Sequence, residues 1–140
     1  MIRTLVVDDD ARVAAVHRDY VERVAGFRVV GVAYRGTEAL AIVAREDVDL
    51  VLLDFYLPDM SGLDVCRALR ARSRRPVDVI AVTAARDVET VRHAVAQGVV
   101  QYLMKPFRFA TLSETLERYA ADRERLSGCG EAAQEDVESC

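Results

Sequence analysis

The chain has 140 residues, of which 51% are apolar and 30% charged, and its net charge is −4. That length suits one domain with a sizeable core, and no apolar run is long enough for a membrane-spanning helix. Acids outnumber bases 23 to 19, and the excess sits in the last ten residues as Glu131, Glu135, Asp136 and Glu138, so the remainder is neutral and offers no basic footprint for nucleic acid. Residues 3–8 read as a strand that begins without a signal-peptide layout, and a cytoplasmic protein is expected. Residues 11–25 place Val13, Val16, Tyr20, Val21 and Val24 at helical spacing, and Gly26 closes that helix. A strand over 27–34 (Val29, Val30, Val32) and a helix over 36–45 (Ala39, Leu40 and Val43 inward) follow. The run Asp49-Leu50-Val51-Leu52-Leu53 has no polar face, as expected of a strand covered on both sides, and it ends on Asp54.

Pro58, Asp59, Ser61 and Gly62 then mark a turn. A helix is predicted over 62–72, with Leu63, Cys66 and Leu69 on one face. A polar turn through Pro76 leads to a strand over 77–83 and a helix over 87–97, stopped by Gly98. A strand over 99–104 runs into Lys105-Pro106, and a last helix extends from Phe109 to about residue 125, with Leu112, Leu116 and Tyr119 inward. The small and acidic residues 126–140 read as a tail or the start of a linker. Five strand–helix units in strict alternation predict an α/β domain over residues 1–125, with a doubly wound parallel sheet. The three cysteines, Cys66, Cys129 and Cys140, have no ligand spacing and read as reduced thiols.

In such a sheet the C-terminal strand ends lie side by side at one edge, where open α/β folds bind ligands. That edge collects Asp8 and Asp9, Asp54, Thr83 and Lys105. Three crowded carboxylates raise one another's pKa unless a cation neutralises them, and Mg²⁺ suits that task because it needs only one or two carboxylates plus waters. Lys105 is the only lysine among 19 basic residues, a compact charge in a chain that otherwise uses arginine. A metal, an ammonium and a hydroxyl facing one carboxylate are what phosphoryl transfer to that carboxylate requires, and an ionised aspartate needs no histidine or cysteine base.

These motifs resemble the receiver domain of two-component response regulators, with its flavodoxin-like, chemotaxis-receiver fold. The matching stretches are Val6-Val7-Asp8-Asp9-Asp10, Leu53-Asp54 with Leu57-Pro58-Asp59-Met60-Ser61-Gly62, Thr83-Ala84, and Tyr102-Leu103-Met104-Lys105-Pro106-Phe107. Residues 105–112 further resemble the citrate and C4-dicarboxylate-sensing subfamily, whose members usually carry a C-terminal DNA-binding domain. The resemblance implies strand order 2-1-3-4-5, Asp54 as phospho-acceptor, and Asp9, Asp54 and the Tyr56 carbonyl as Mg²⁺ ligands, with Asp8 acting mostly through water. It implies that Lys105 pairs with Asp54 and then with the phosphoryl group. Thr83 bonds a phosphoryl oxygen, Tyr102 is the switch aromatic, and the Lys105–Pro106 bond is cis. It also implies a sensor histidine kinase as partner, a homodimer through the fourth helix, fifth strand and fifth helix, and DNA contact only through a domain outside these residues.

Plainer roles also suit some of these residues. Asp10 reads as a helix cap rather than a ligand. His17 and His93 read as packing residues on helices one and four, away from the active edge, which also argues against a histidine-phosphotransfer domain. A stand-alone receiver acting by protein–protein binding stays open. An aspartate-nucleophile phosphatase is disfavoured, because it needs an acid two residues after the nucleophile, where Tyr56 stands.

Overall fold

The computed structural model describes residues 1–72, 75–84, 89, 92 and 98–132, with side chains as far as Arg125. In chain order it contains β1 (Ile2–Val7), α1 (Ala11–Glu22), β2 (Phe27–Ala33), α2 (Gly36–Arg45), β3 (Leu50–Asp54), α3 (Gly62–Arg72), β4 (Asp78–Ala84), β5 (Val99–Lys105) and a C-terminal helix (Phe109–Ala132). Every neighbouring strand pair is parallel and the order is β2-β1-β3-β4-β5, the arrangement expected of the doubly wound fold. The helix predicted over 87–97, with His93, lies largely outside the described residues.

β3 sits at the centre of the sheet, and all five of its residues are buried. Successive side chains point to opposite faces. Val51 and Leu53 therefore join Leu5 and Val7 against α2 and α3, while Leu50 and Leu52 join Val6 against α1 and the C-terminal helix. Each Val or Leu buried in these layers contributes about 1.5–3 kcal/mol. That is why a strand with no polar face occupies the centre and why its last residue, Asp54, is held firmly.

Two boundaries differ from expectation by more than one residue. α1 stops at Glu22 rather than residue 25, because Arg23 and Val24 donate to Tyr20 and Val21, three residues back, which tightens the last turn. Gly26 then takes φ 89°, a left-handed turn into β2 that only glycine adopts freely. The C-terminal helix continues to Ala132, past the expected end near residue 125. No proline interrupts it, and the glycines at 128 and 130 cost only about 1 kcal/mol each in a helix.

The inward stripe of α1 also differs. Ala14, His17, Val21 and Val24 are buried, whereas Val16 is exposed. The set 14, 17, 21, 24 is an i, i+3, i+7, i+10 series that keeps the expected Val21 and Val24, has Val13 and Tyr20 half-buried beside it, and takes His17 in place of Val16. His17 is thus a core residue and does not stand apart from the active edge.

Candidate functional site

The sheet edge gathers the charged residues by simple ladder geometry. The Asp8 N–H donates to the Ala33 carbonyl at 3.1 Å, which extends the β1–β2 ladder by one residue and holds Asp8 in place. Asp8 is 1% exposed and Asp54 6% exposed. β5 ends at Lys105, paired in register with Ala84, and the Lys105–Pro106 bond is cis. The Lys105 ammonium donates to Asp8 Oδ2 at 2.7 Å and to Asp54 Oδ2 at 3.4 Å. The pairing expected with Asp54 is present, but Asp8 is the nearer partner.

The other carboxylate oxygens are engaged locally. Asp8 Oδ1 accepts the Asp10 N–H and Asp54 Oδ1 accepts the Tyr56 N–H, both at 3.0 Å. Asp10 caps α1, its Oδ1 accepting from the Arg12 and Val13 amides, as read from the sequence. Asp9 is exposed beside them, and one oxygen from each of Asp8, Asp9 and Asp54 lies within 4.8 Å of the others. Three hard oxygen donors converging at an open edge fit a Mg²⁺ ion that keeps several waters. Thr83 is 1% exposed, and its hydroxyl donates to the Ala84 carbonyl at 3.3 Å. Tyr56 and Tyr102 face outward, at 57% and 40% exposure.

The electrostatics follow from burial. Burial pushes the Asp54 carboxyl above the usual range, and the Asp8 charge adds to this, while the Tyr56 amide and Lys105 pull it back. Burial alone would lower the Lys105 ammonium, but the Asp8 hydrogen bond and the Asp54 charge outweigh it and raise its affinity for the proton. The site is thus a buried anion pair bridged by one firmly protonated lysine. Two carboxylates with one ammonium leave a net negative edge that a divalent cation neutralises. A groove of about 750 Å³ between α2 and α3 contains none of these groups. Asp54 stands at the end of β3 instead, apart from that groove.

One residue that the sequence reading treats only as part of a turn organises the loop after Asp54. Asp59 accepts the Gly36 N–H at 2.8 Å and the Thr37 N–H at 3.0 Å, capping α2 from 23 residues away. The helix needs this, because its own N-cap position is Arg35, whose side chain makes no cap bond. Met60 packs over Gly36, where a Cβ would meet its sulfur at 2.7 Å, and a Cβ on Gly62 would run into the Phe55 ring. The uncapped N-terminus of α2 was the available sequence signal. Asp59→Ala is expected to cost about 0.5–1 kcal/mol at pH 7, at the lower end for a cap because the carboxylate is exposed. The amide bonds from Thr37 and Gly36 depress the Asp59 carboxyl, so its stabilisation is present above the ordinary carboxylate range and lost as the pH falls through the depressed folded value. Urea unfolding of both proteins at pH 7 and pH 3 checks this. An equal difference at the two pH values, or none at pH 7, contradicts it.

A five-stranded parallel sheet with an aspartate triad and a lysine at its C-terminal edge defines a class, and comparison with known proteins agrees. Residues 4–117 match the response regulator receiver domain family, and the chain belongs to it. It is 37% identical over 135 residues to "Probable C4-dicarboxylate response regulator DctR" of Priestia megaterium, covering 96% of this chain and 59% of that protein. It is 34% identical over 140 residues to "Transcriptional regulatory protein CitT" of Halalkalibacterium halodurans, covering 99% of this chain and 60% of that one. The chain therefore spans about three fifths of these curated relatives. Their names agree with the citrate and C4-dicarboxylate subfamily resemblance. Among solved structures, the receiver domain of AraT from Geobacillus stearothermophilus superposes with TM-score 0.80 at 26% identity, covering 91% of this chain and 99% of that one. A CheY-like receiver from Methanospirillum hungatei superposes at 0.77 and 28%, covering 89% and 98%. No helix among the described residues is long and apolar enough to cross a membrane.

Proposed function

We propose that this receiver accepts a phosphoryl group on Asp54 from the phosphohistidine of a sensor kinase and passes the signal to a DNA-binding domain beyond residue 140. The Lys105 ammonium bridging Asp8 and Asp54 at an open sheet edge carries this reading. An Asp54 oxygen attacks phosphorus, an O–P bond forms, the P–N bond of the donor breaks, and its electron pair returns to the donor imidazole. Lys105 already touches the nucleophile's oxygen and meets the incoming negative charge with its own. Asp9, Asp54 and the Tyr56 carbonyl would hold Mg²⁺, with Asp8 behind them. When bound, the ion supplies charge neutralisation on the transferring oxygens. The Thr83 hydroxyl turns from the Ala84 carbonyl toward a phosphoryl oxygen, and Tyr102 moves inward from its exposed position. That shift biases a two-state surface around β5, the C-terminal helix and the helix expected from the sequence over 87–97, which serves as the output or dimer face. The protein is a signalling switch rather than an enzyme acting on other molecules. Residues 126–140 lead toward the output domain, and the switch works in the cytoplasm, where its kinase partner presents the phosphoryl group.

Intact mass after incubation with acetyl phosphate tests the reading. The parent protein gains one phosphoryl group only with Mg²⁺ present, and Asp54→Asn gains none. A folded parent that gains nothing, or an adduct retained in Asp54→Asn, overturns it.

A further inference from the structure

α1 presents a histidine where its spacing asks for an apolar side chain. His17 is 7% exposed and lies between Ala14 and Val21 on the buried face. Its ring stacks on Phe107, with centroids 4.7 Å apart and planes at 24°. One turn along, Tyr20 meets Phe109 at 5.5 Å, edge to face, and the Arg23 guanidinium lies 5.9 Å from the Tyr20 ring and 5.7 Å from that of Phe109. Two positions of α1 and its C-cap residue Arg23 thus grip residues 107 and 109, just after Lys105. Pro106 and Arg108 are exposed, Phe107 and Phe109 are partly buried against the core between α1 and the C-terminal helix, and the Arg108 carbonyl accepts the Thr111 and Leu112 amides, so the ring contacts are what the α1 side adds to the hold on this segment.

The Lys105 head needs an anchored base. It is 30% exposed and spans two carboxylates at 2.7 and 3.4 Å. A shift of about half an ångström at the end of β5 takes the longer contact out of hydrogen-bond range. We propose that His17 is a positioning residue for phosphoryl transfer: stacked on Phe107, it sets where the Lys105 ammonium stands between Asp8 and Asp54. Burial favours the neutral imidazole, with the Asp8 charge opposing and the Lys105 charge reinforcing that preference. A neutral ring stacks on Phe107 without adding a second cation that competes for Asp8. The flat ring is the essential feature, and an aromatic hydrocarbon replaces it.

The inference rests on Asp54 being the acceptor, and its test separates the two. Initial rates of adduct formation from acetyl phosphate with saturating Mg²⁺ are measured for the parent, His17→Ala and His17→Phe, and for the same two changes added to Lys105→Ala. Thermal melts confirm that each variant is folded, and His17→Leu replaces His17→Ala should the latter not fold. Because His17 acts through Lys105, His17→Ala slows the parent about tenfold and leaves the residual rate of Lys105→Ala unchanged. His17→Phe stays within about twofold of the parent, the ring stack being kept. A parent-like rate for His17→Ala overturns the proposal. So does an equal slowing in the Lys105→Ala background, or a His17→Phe as slow as His17→Ala. A parent that forms no adduct overturns this inference and the acceptor role together.

Discussion

Lys105→Ala is expected to lower metal-free stability by about 2–3 kcal/mol and to slow the proposed phosphoryl transfer to Asp54 about 10²–10³-fold. The stability loss comes from Asp8, which is 1% exposed and loses its 2.7 Å partner. Breaking a fully buried pair costs about 3–5 kcal/mol, and the smaller figure reflects solvent screening of a lysine that is 30% exposed. Burial already holds the Asp54 carboxyl above its ordinary value, so removing the lysine leaves two like charges facing each other. Saturating Mg²⁺ is expected to return most of the stability, because a divalent ion supplies the missing positive charge, but not the rate, because in the proposed transfer the ammonium also meets the arriving phosphoryl group. Urea midpoints with and without Mg²⁺, set beside adduct rates, separate the two losses. A metal-free midpoint equal to that of the parent contradicts the structural half of this account, and a parent-like rate contradicts the chemical half.

Mg²⁺ itself is expected to raise stability by about 2.7 kcal/mol at a concentration one hundred times its dissociation constant. Asp9→Asn removes that gain at little cost to the metal-free protein, since Asp9 is exposed and its carboxylate is one of the three donors. Asp54→Asn behaves differently. Burial raises the Asp54 carboxyl in the folded state, so its contribution is fully present below the unfolded value and lost as the pH rises through the raised folded value. In metal-free buffer at pH 7 the ionised Asp54 therefore destabilises the fold, and Asp54→Asn melts higher, by about 4 °C for a change of order 1 kcal/mol. The gap closes toward pH 4. Thermal melts across pH and Mg²⁺ concentration read both effects. An Asp9→Asn protein with the full Mg²⁺ shift would remove that residue from the ligand set, and an Asp54→Asn protein that melts lower at pH 7 would mean that its tie to Lys105 outweighs its burial.

Much of this architecture is written in local order along the chain. Strict strand–helix alternation, the unbroken apolar run of β3 and the turn residues after Asp54 define a doubly wound parallel sheet, because burial on two faces and right-handed crossovers leave few other arrangements. Asp8, Asp9, Asp54, Thr83 and Lys105 then fall at one edge simply by ending their strands. Asp10 as a cap is equally local, since its acceptor reaches amides two and three residues ahead.

What chain order left undetermined depends on contacts across long separations. Whether Lys105 leans to Asp8 or to Asp54, 97 and 51 residues away, depends on where β5 stops against β4, a matter of tertiary register. Asp59 as the cap of α2 is invisible to a window that looks only at the helix and its flanks. The inward face of α1 keeps the expected Val21 and Val24 but takes His17 rather than Val16, because adjacent positions give nearly equal helical stripes and only packing against Phe107 and the sheet selects between them. Periodicity specifies that a face exists. The neighbours that cover it, brought close only by the folded sheet, decide which side chains it holds.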